Sequence, residues 1–173
     1  PPVVLLTDHL NQQVDSWGGR AAIAAAVGAS TALVCNPMDV MILKKLDLTS
    51  SRESLTAEIA RDRWRLWRGS GLFALRNSAF SVALLCVYPA VYDAMLVGHG
   101  STTSSIVAAA VASVVSNGIG HIPDMMSVCQ QATGKKVVWT GFHTAGFAAR
   151  NLATTVELVV FYRTMPFWRR VFA

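Results

Sequence analysis

Four apolar stretches of roughly twenty residues, set apart by charged or turn-forming segments, constrain this chain more than any other feature. They run at about 17–40, 72–97, 105–126 and 145–167, each near the ~20 residues that a helix needs to cross a hydrocarbon core. Inside lipid a backbone must satisfy its own hydrogen bonds, which leaves helices for segments of this length. Composition agrees: 53% of the 173 residues are hydrophobic and only 14% are charged, against roughly 25% charged in an ordinary globular domain. The expected fold is an all-α membrane protein. Its organisation reads as an N-terminal segment (1–16) followed by two units of two helices each, 17–97 and 98–173.

The placement of charge says more than its sum of +5. Lys44, Lys45, Arg52, Arg61, Arg63, Arg65, Arg68, Lys135 and Lys136 make up nine of the fifteen basic residues. The connectors "GHGSTT" and "ATGKKVVWTG" are short, which makes neighbouring helices antiparallel and places all nine on one side of the bilayer. That is a positive-inside bias, with both termini on the opposite side. It is not the basic face with interleaved aromatics that nucleic acid requires. Cys35, Cys86 and Cys129 are scattered within apolar segments and carry no CxxC pattern, so they read as small buried hydrophobes. His9, His99, His121 and His143 show no metal-ligand spacing, and no nucleophile–base pair or phosphate loop occurs. The expectation is no enzyme, no metal and no cofactor. The sequence opens on Pro1 rather than Met, so N-terminal processing or preceding residues are expected, and no signal-peptide pattern stands at the front.

Within the spans, small residues recur every fourth position: Ala22, Ala26 and Ser30, then Ala108, Ala112, Ser116 and Gly120. Such stripes let another backbone approach closely. The first span ends in "VCNPMDVMILKK", where Pro37 predicts a break or kink and Asp39 needs a partner in an apolar setting. "GHIPDMMSVCQQ", with Pro123 and Asp124, poses the same question near the end of the third. Between spans one and two, Ser50 and Glu53 suit a capping box. Leu55, Ile59 and Leu66 then form one apolar edge of a short amphipathic helix on the membrane surface; a solvated loop is the other reading of this charge run.

The two units resemble each other. "GLFALRNSAFSVALLCVY" parallels "GFAARNLATTVELVVFY", matching Arg76 with Arg150, Asn77 with Asn151, Ala79 with Ala153, Val82 with Val156 and Tyr88 with Tyr162. Upstream, Trp67-Arg68-Gly69 corresponds to Trp139-Thr140-Gly141, and Pro37 and Asp39 to Pro123 and Asp124. This order of motifs resembles the mitochondrial carrier family, which repeats a pair of transmembrane helices joined by a short matrix helix. Pro37, Asp39 and Lys44 occupy positions of that family's Pro-x-acid-x-x-basic-x-basic signature, and Trp67-Arg68-Gly69 its aromatic-basic-glycine motif. The resemblance implies a four-helix fold of two carrier-type repeats in the mitochondrial inner membrane, with a matrix-side amphipathic helix in the first repeat. It also implies that Trp67, Arg68, Gly69, Trp139 and Gly141 hold a cardiolipin phosphate at helix N-termini; the other reading of both tryptophans is as markers of the interface.

Three departures bear on function. The basic gate residue is replaced by Ile42 in one repeat and Ser127 in the other. Pro123 stands directly before Asp124. The family has three repeats where two stand here, so a carrier-type barrel is left open on one side, without the enclosure that alternating access needs. Arg76, Arg150 and Glu157 are the main charges inside the spans. They read either as a functional site or as helix-to-helix ion pairing, with Glu157 two turns beyond Arg150 on one face. Two functions follow. One is a non-transporting accessory subunit of an inner-membrane complex of the respiratory-chain type, in contact with membrane lipids and other subunits. The other is a solute transporter that works as an oligomer or with a partner chain.

Overall fold

Proline and glycine positions set the boundaries and irregularities of the helices. The computed structural model describes residues 14, 16–46, 64, 67, 69–133 and 146–172, with backbone alone at 39, 40, 42–46, 131–133 and 168–172. Among the described residues every regular element is helical. Helix α1 (Trp17–Leu46) opens with Ser16 as its cap, whose Oγ accepts the Gly19 N–H at 3.1 Å, the interaction that makes serine a good N-cap. Helix α2 (Ser70–Val82) runs through a π-helical turn (Ala83–Val87) into α3 (Tyr88–Leu96). Helix α4 (Ser101–Thr133) and helix α5 (Phe147–Phe172) complete the chain. The surface segment predicted between the first two spans lies outside the described residues, apart from the exposed Trp64 and Trp67.

Neither Pro37 nor Pro123 stops its helix. α1 passes Pro37 and continues to Leu46, and α4 passes Pro123 and continues to Thr133. Both helices thus run on beyond the apolar stretches expected to end near residues 40 and 126. Each proline removes one hydrogen bond, a loss that a long helix braced by its neighbours absorbs.

Three helical runs are long and apolar enough to cross a membrane: Trp17–Met38, Ser70–Leu96 and Ser101–Gln130. That is the composition of a multi-pass membrane protein. The fourth expected span is a helix of 26 residues, yet it does not qualify by apolarity. Arg150, Glu157 and Arg163 fall within it, with Asn151, Thr154 and Thr155 between them.

Burial runs opposite to the order in a water-soluble protein. On α4 the buried residues include Ser104, Ser105, Ser113, Ser116, Asn117, His121, Asp124 and Ser127, while Ile106, Val114 and Ile119 are exposed. On α5 the exposed residues include Leu152, Val156 and Val160, spaced four apart, while Thr154 is buried. Where lipid is the solvent, helices show apolar side chains outward and pair polar ones with each other.

The helices pack in a row. α1 lies on α2, the α2–α3 run lies on α4, and α4 lies on α5; α1 touches α4 lightly and has no substantial contact with α5. The α1–α2 contact is close enough to need glycine. A Cβ on Gly28 would stand 2.4 Å from the Asn77 carbonyl oxygen and 2.5 Å from Ser81 Oγ. Ser78 Oγ also donates to the Ala25 carbonyl at 2.9 Å. The small residues of α4 behave as predicted, with Ala108, Ala112, Ser116 and Gly120 all buried. Those of α1 do not. Ala22, Ala26 and Ser30 are exposed, and the packed face carries Ala24, Gly28 and Ala32 instead. In an alanine-rich helix several faces show four-residue spacing, so spacing alone does not select the buried one.

Pro89 explains the π-turn and one of its partners. The Tyr88 N–H reaches back five residues to the Ala83 carbonyl, and the next residue, Pro89, has no N–H to offer the Leu84 carbonyl. The Tyr162 hydroxyl of α5 donates to that carbonyl. Its ring lies flat on Tyr88, with centroids 3.7 Å apart and planes 5° from parallel. Tyr88 in turn shares a 2.8 Å hydrogen bond with Ser105 Oγ. This aromatic knot sits in the apolar core formed by Ala83, Leu84, Ala108, Ala109, Ala112 and Leu158.

Candidate functional site

Asp124 is the centre of the polar face. It lies on α4 directly after Pro123, and both residues are buried. Arg76 from α2 places Nε 3.1 Å from one carboxylate oxygen. Arg150 from α5 places Nη1 against the other. One anion thus bridges two cations from the helices on either side, and the trio carries a net charge of +1. Removing Asp124 would leave two cations facing each other without an anion, whereas removing either arginine would leave a neutral pair. The Arg76 stem crosses α4 at Gly120, where an added Cβ would meet the arginine Cγ at 3.5 Å. Its guanidinium also lies 5.5 Å from the centroid of the Phe73 ring.

The local fold delivers both arginines. Each of their helices begins at a glycine with positive φ, Gly69 (79°) and Gly146 (85°), a conformation that costs a residue with a Cβ about 1–2 kcal/mol. The Phe73 N–H returns to the Gly69 carbonyl at 2.9 Å, and the Arg150 N–H to the Gly146 carbonyl at 2.8 Å. The two starts are not in register. Arg76 is seven residues into its unit from Gly69, whereas Arg150 is four from Gly146. The sequence comparison aligned Gly69 with Gly141, so the structural cap of the second unit is a different glycine. Ser127 closes the same end: its Oγ donates to the Gly69 carbonyl at 3.3 Å. The position expected to lack a basic gate partner therefore serves as a contact between α4 and the start of α2.

One turn to two turns further along lies an amide and hydroxyl network between α4 and α5. Asn117 Nδ2 donates to Asn151 Oδ1 at 3.0 Å and to Thr154 Oγ1 at 3.3 Å. Ser113 Oγ donates to the Asn151 carbonyl at 2.8 Å. Arg76 and Arg150 of the trio, Asn117 and Thr154 of the network, and Ser116 and Gly120 between them on α4 line a cleft of about 390 Å³. Gly28 and Thr31 of α1, Asn77, Phe80 and Ser81 of α2, Leu84 of the π-turn, and Glu157 of α5 complete its walls.

The predicted site residues divide accordingly. Arg76, Arg150 and Asp124 meet in one ion cluster, and Glu157 does not join it. Glu157 lines the cleft two turns from Arg150 and is exposed, so the partner of Arg150 is a carboxylate on the adjacent helix. Pro37 is half-buried in α1; the side chains of Asp39 and Lys44 lie outside the described residues. Of the lipid set, Trp67 is exposed and Gly69 caps α2, while Arg68, Trp139 and Gly141 lie outside the described residues. Sequence reasoning passed over Ser113, Asn117 and Thr154. The repeated Arg-Asn pair was the available signal for Asn151, because a duplicated amide beside a duplicated arginine marks the helix face that turns inward.

The chain matches no family model, no curated protein and no solved structure. The likeness to mitochondrial carriers therefore rests on the motifs and their order in the sequence.

Proposed function

We propose that this chain is a non-transporting, carrier-type accessory subunit of a mitochondrial inner-membrane complex of the respiratory-chain type. All four long helical runs cross the bilayer in this reading, and both termini face the intermembrane space. The observation that carries it is the open row of helices: α1 and α5 do not close on each other, and a charged cleft faces the gap between them. A polar cleft open to lipid is unfavourable, so a neighbouring protein supplies the missing wall. α5 belongs to the membrane despite its charges because they turn toward α4 and the cleft while Leu152, Val156 and Val160 face out. Trp67 and the glycine-capped start of α2 suit a cardiolipin phosphate at the matrix surface. Purification in mild detergent tests the reading: the chain co-migrates with a large respiratory assembly. Migration as a free monomer under the same conditions overturns it.

A second reading has its own support in the same cleft. A volume of about 390 Å³ with fixed charges and amides is within the range of small-ligand sites, as a transporter completed by a partner chain requires. Saturable solute uptake by the purified chain in vesicles distinguishes it from the subunit.

A further inference from the structure

Of the three carboxylates with described side chains inside the long helices, Asp124 is held by two guanidinium groups and Glu157 by none. Asp93 lies three residues from the end of its helix. No hydrogen bond or ion pair reaches Glu157 among the described residues. It is the eleventh of the 26 residues of α5, close to the middle of the helix. Arg150 is about 10 Å away along the helix axis and already engaged. A carboxylate at such a depth is kept only with a partner.

We propose that the open side of the cleft is covered by a membrane-crossing helix of a different chain, which carries a lysine or arginine at the depth of Glu157 and pairs with it. The inference rests on the subunit reading above and names the chemistry of the contact. Charge complementarity selects the occupant. A lipid amine is confined to the headgroup region, about 15 Å from the mid-plane of a 30 Å hydrocarbon core, and does not reach the middle of α5. A second copy of this chain is a poor match too. Arg76 and Arg150 are tied to Asp124, Arg20 is the fourth residue of α1, and Arg163 donates to Thr102 at the start of α4 (2.9 Å). The packing order gives the place. α4 has a helix on each side, whereas α1 and α5 are each covered on one side only.

Ala153 and Val160 flank Glu157 on the same helix face, and both are exposed. A photo-reactive amino acid at either position, introduced in the full chain in its native membrane, attaches to whatever lies over the cleft while leaving Glu157 in place. The expected product maps to an apolar segment of another chain, within four residues of a lysine or arginine. Glu157→Gln at equal protein level lowers its yield about tenfold, the scale of one lost charge pair. Glu157→Lys combined with reversal of the mapped basic residue to glutamate restores the yield. If a Glu157 variant fails to accumulate, the mapped peptide alone decides. Attachment to another chain with no basic residue within four positions overturns the ion pair but leaves the subunit reading standing. Attachment to a second copy of this chain, or to lipid alone while the chain still co-migrates with the assembly, also overturns the proposal. Lipid attachment together with loss of co-migration overturns both.

Discussion

The α2–α3 run and α5 begin alike, with a glycine at positive φ and an arginine that reaches Asp124, and then meet different surroundings. The first is held between α1 and α4; the second rests mainly on α4, with Tyr162 reaching across to the π-turn and Tyr88. Matched positions record the difference. Ala79 is buried and Ala153 exposed; Val82 is half-buried and Val156 exposed. Even the tyrosines divide, Tyr88 being 3% exposed and Tyr162 half-buried. Similar sequence therefore does not make equivalent packing: the number of neighbouring helices decides which small residue is a contact and which is a surface.

The charge cluster is where the two regions meet, and removing its centre carries the largest expected effect. Asp124→Ala leaves two guanidinium groups facing each other without an anion, and the loss is about 3–5 kcal/mol, read as a lowered melting temperature in detergent. Arg76→Ala costs less, about 1–2 kcal/mol, because Arg150 stays on the carboxylate and Arg76 is itself partly solvated. Equal losses from the two substitutions would show that the trio acts as an indivisible unit.

Gly28→Ala strikes only the two-sided region. Its methyl group meets backbone at a distance that no side-chain adjustment relieves, so α1 moves off α2 at about 2–3 kcal/mol. A cysteine pair across α1 and α2 that forms a disulfide in the parent chain would lose efficiency in the variant. No change in that efficiency would mean that the two helices are further apart than the contact at Asn77 indicates.

A matched pair of substitutions then measures the asymmetry itself. Ala79→Leu overfills a site between three elements and costs about 1–2 kcal/mol. Ala153→Leu lies on an exposed face and stays within about 0.5 kcal/mol of the parent. If a partner helix covers α5 in the assembled complex, Ala153→Leu acquires its cost there and not in the isolated chain. That contrast between free and assembled protein sharpens the comparison in one measurement.

How much of this was legible beforehand follows the same division. Helical class and three of the spans were readable because lipid demands long apolar runs, and 17–40, 72–97 and 105–126 provide them. The fourth stretch is helical but falls short of the other three in apolarity, since Arg150, Glu157 and Arg163 interrupt it. Arg150 turns to Asp124, while Glu157 and Arg163 stay exposed. The members of the ion cluster stood out singly as charges in apolar segments. Their union did not, because Asp124 draws its partners from two helices that are 48 residues before it and 26 after it in sequence. The face of α1 that packs was misread, as four-residue spacing in Ala21–Ala26 and beyond offers several equivalent stripes. Asn117 and Ser113 gave no signal apart from being polar in an apolar run, since their value comes from Asn151 and Thr154 on a neighbouring helix.

The smallest effect tests the link between the π-turn and α5. Tyr162→Phe keeps the ring that stacks on Tyr88 but removes the hydroxyl from the Leu84 carbonyl, which Pro89 cannot serve. A carbonyl left without a donor in apolar surroundings costs about 1–2 kcal/mol. Tyr88→Phe, by contrast, frees a serine hydroxyl that can turn to its own helix backbone, so its cost falls to about 0.5–1 kcal/mol. The two phenylalanine variants should therefore differ in melting temperature although they delete the same atom from the two faces of one stacked pair. Equal losses would mean that stacking and not the orphaned carbonyl joins α5 to the first pair of helices, and the role assigned to Pro89 would fall with them.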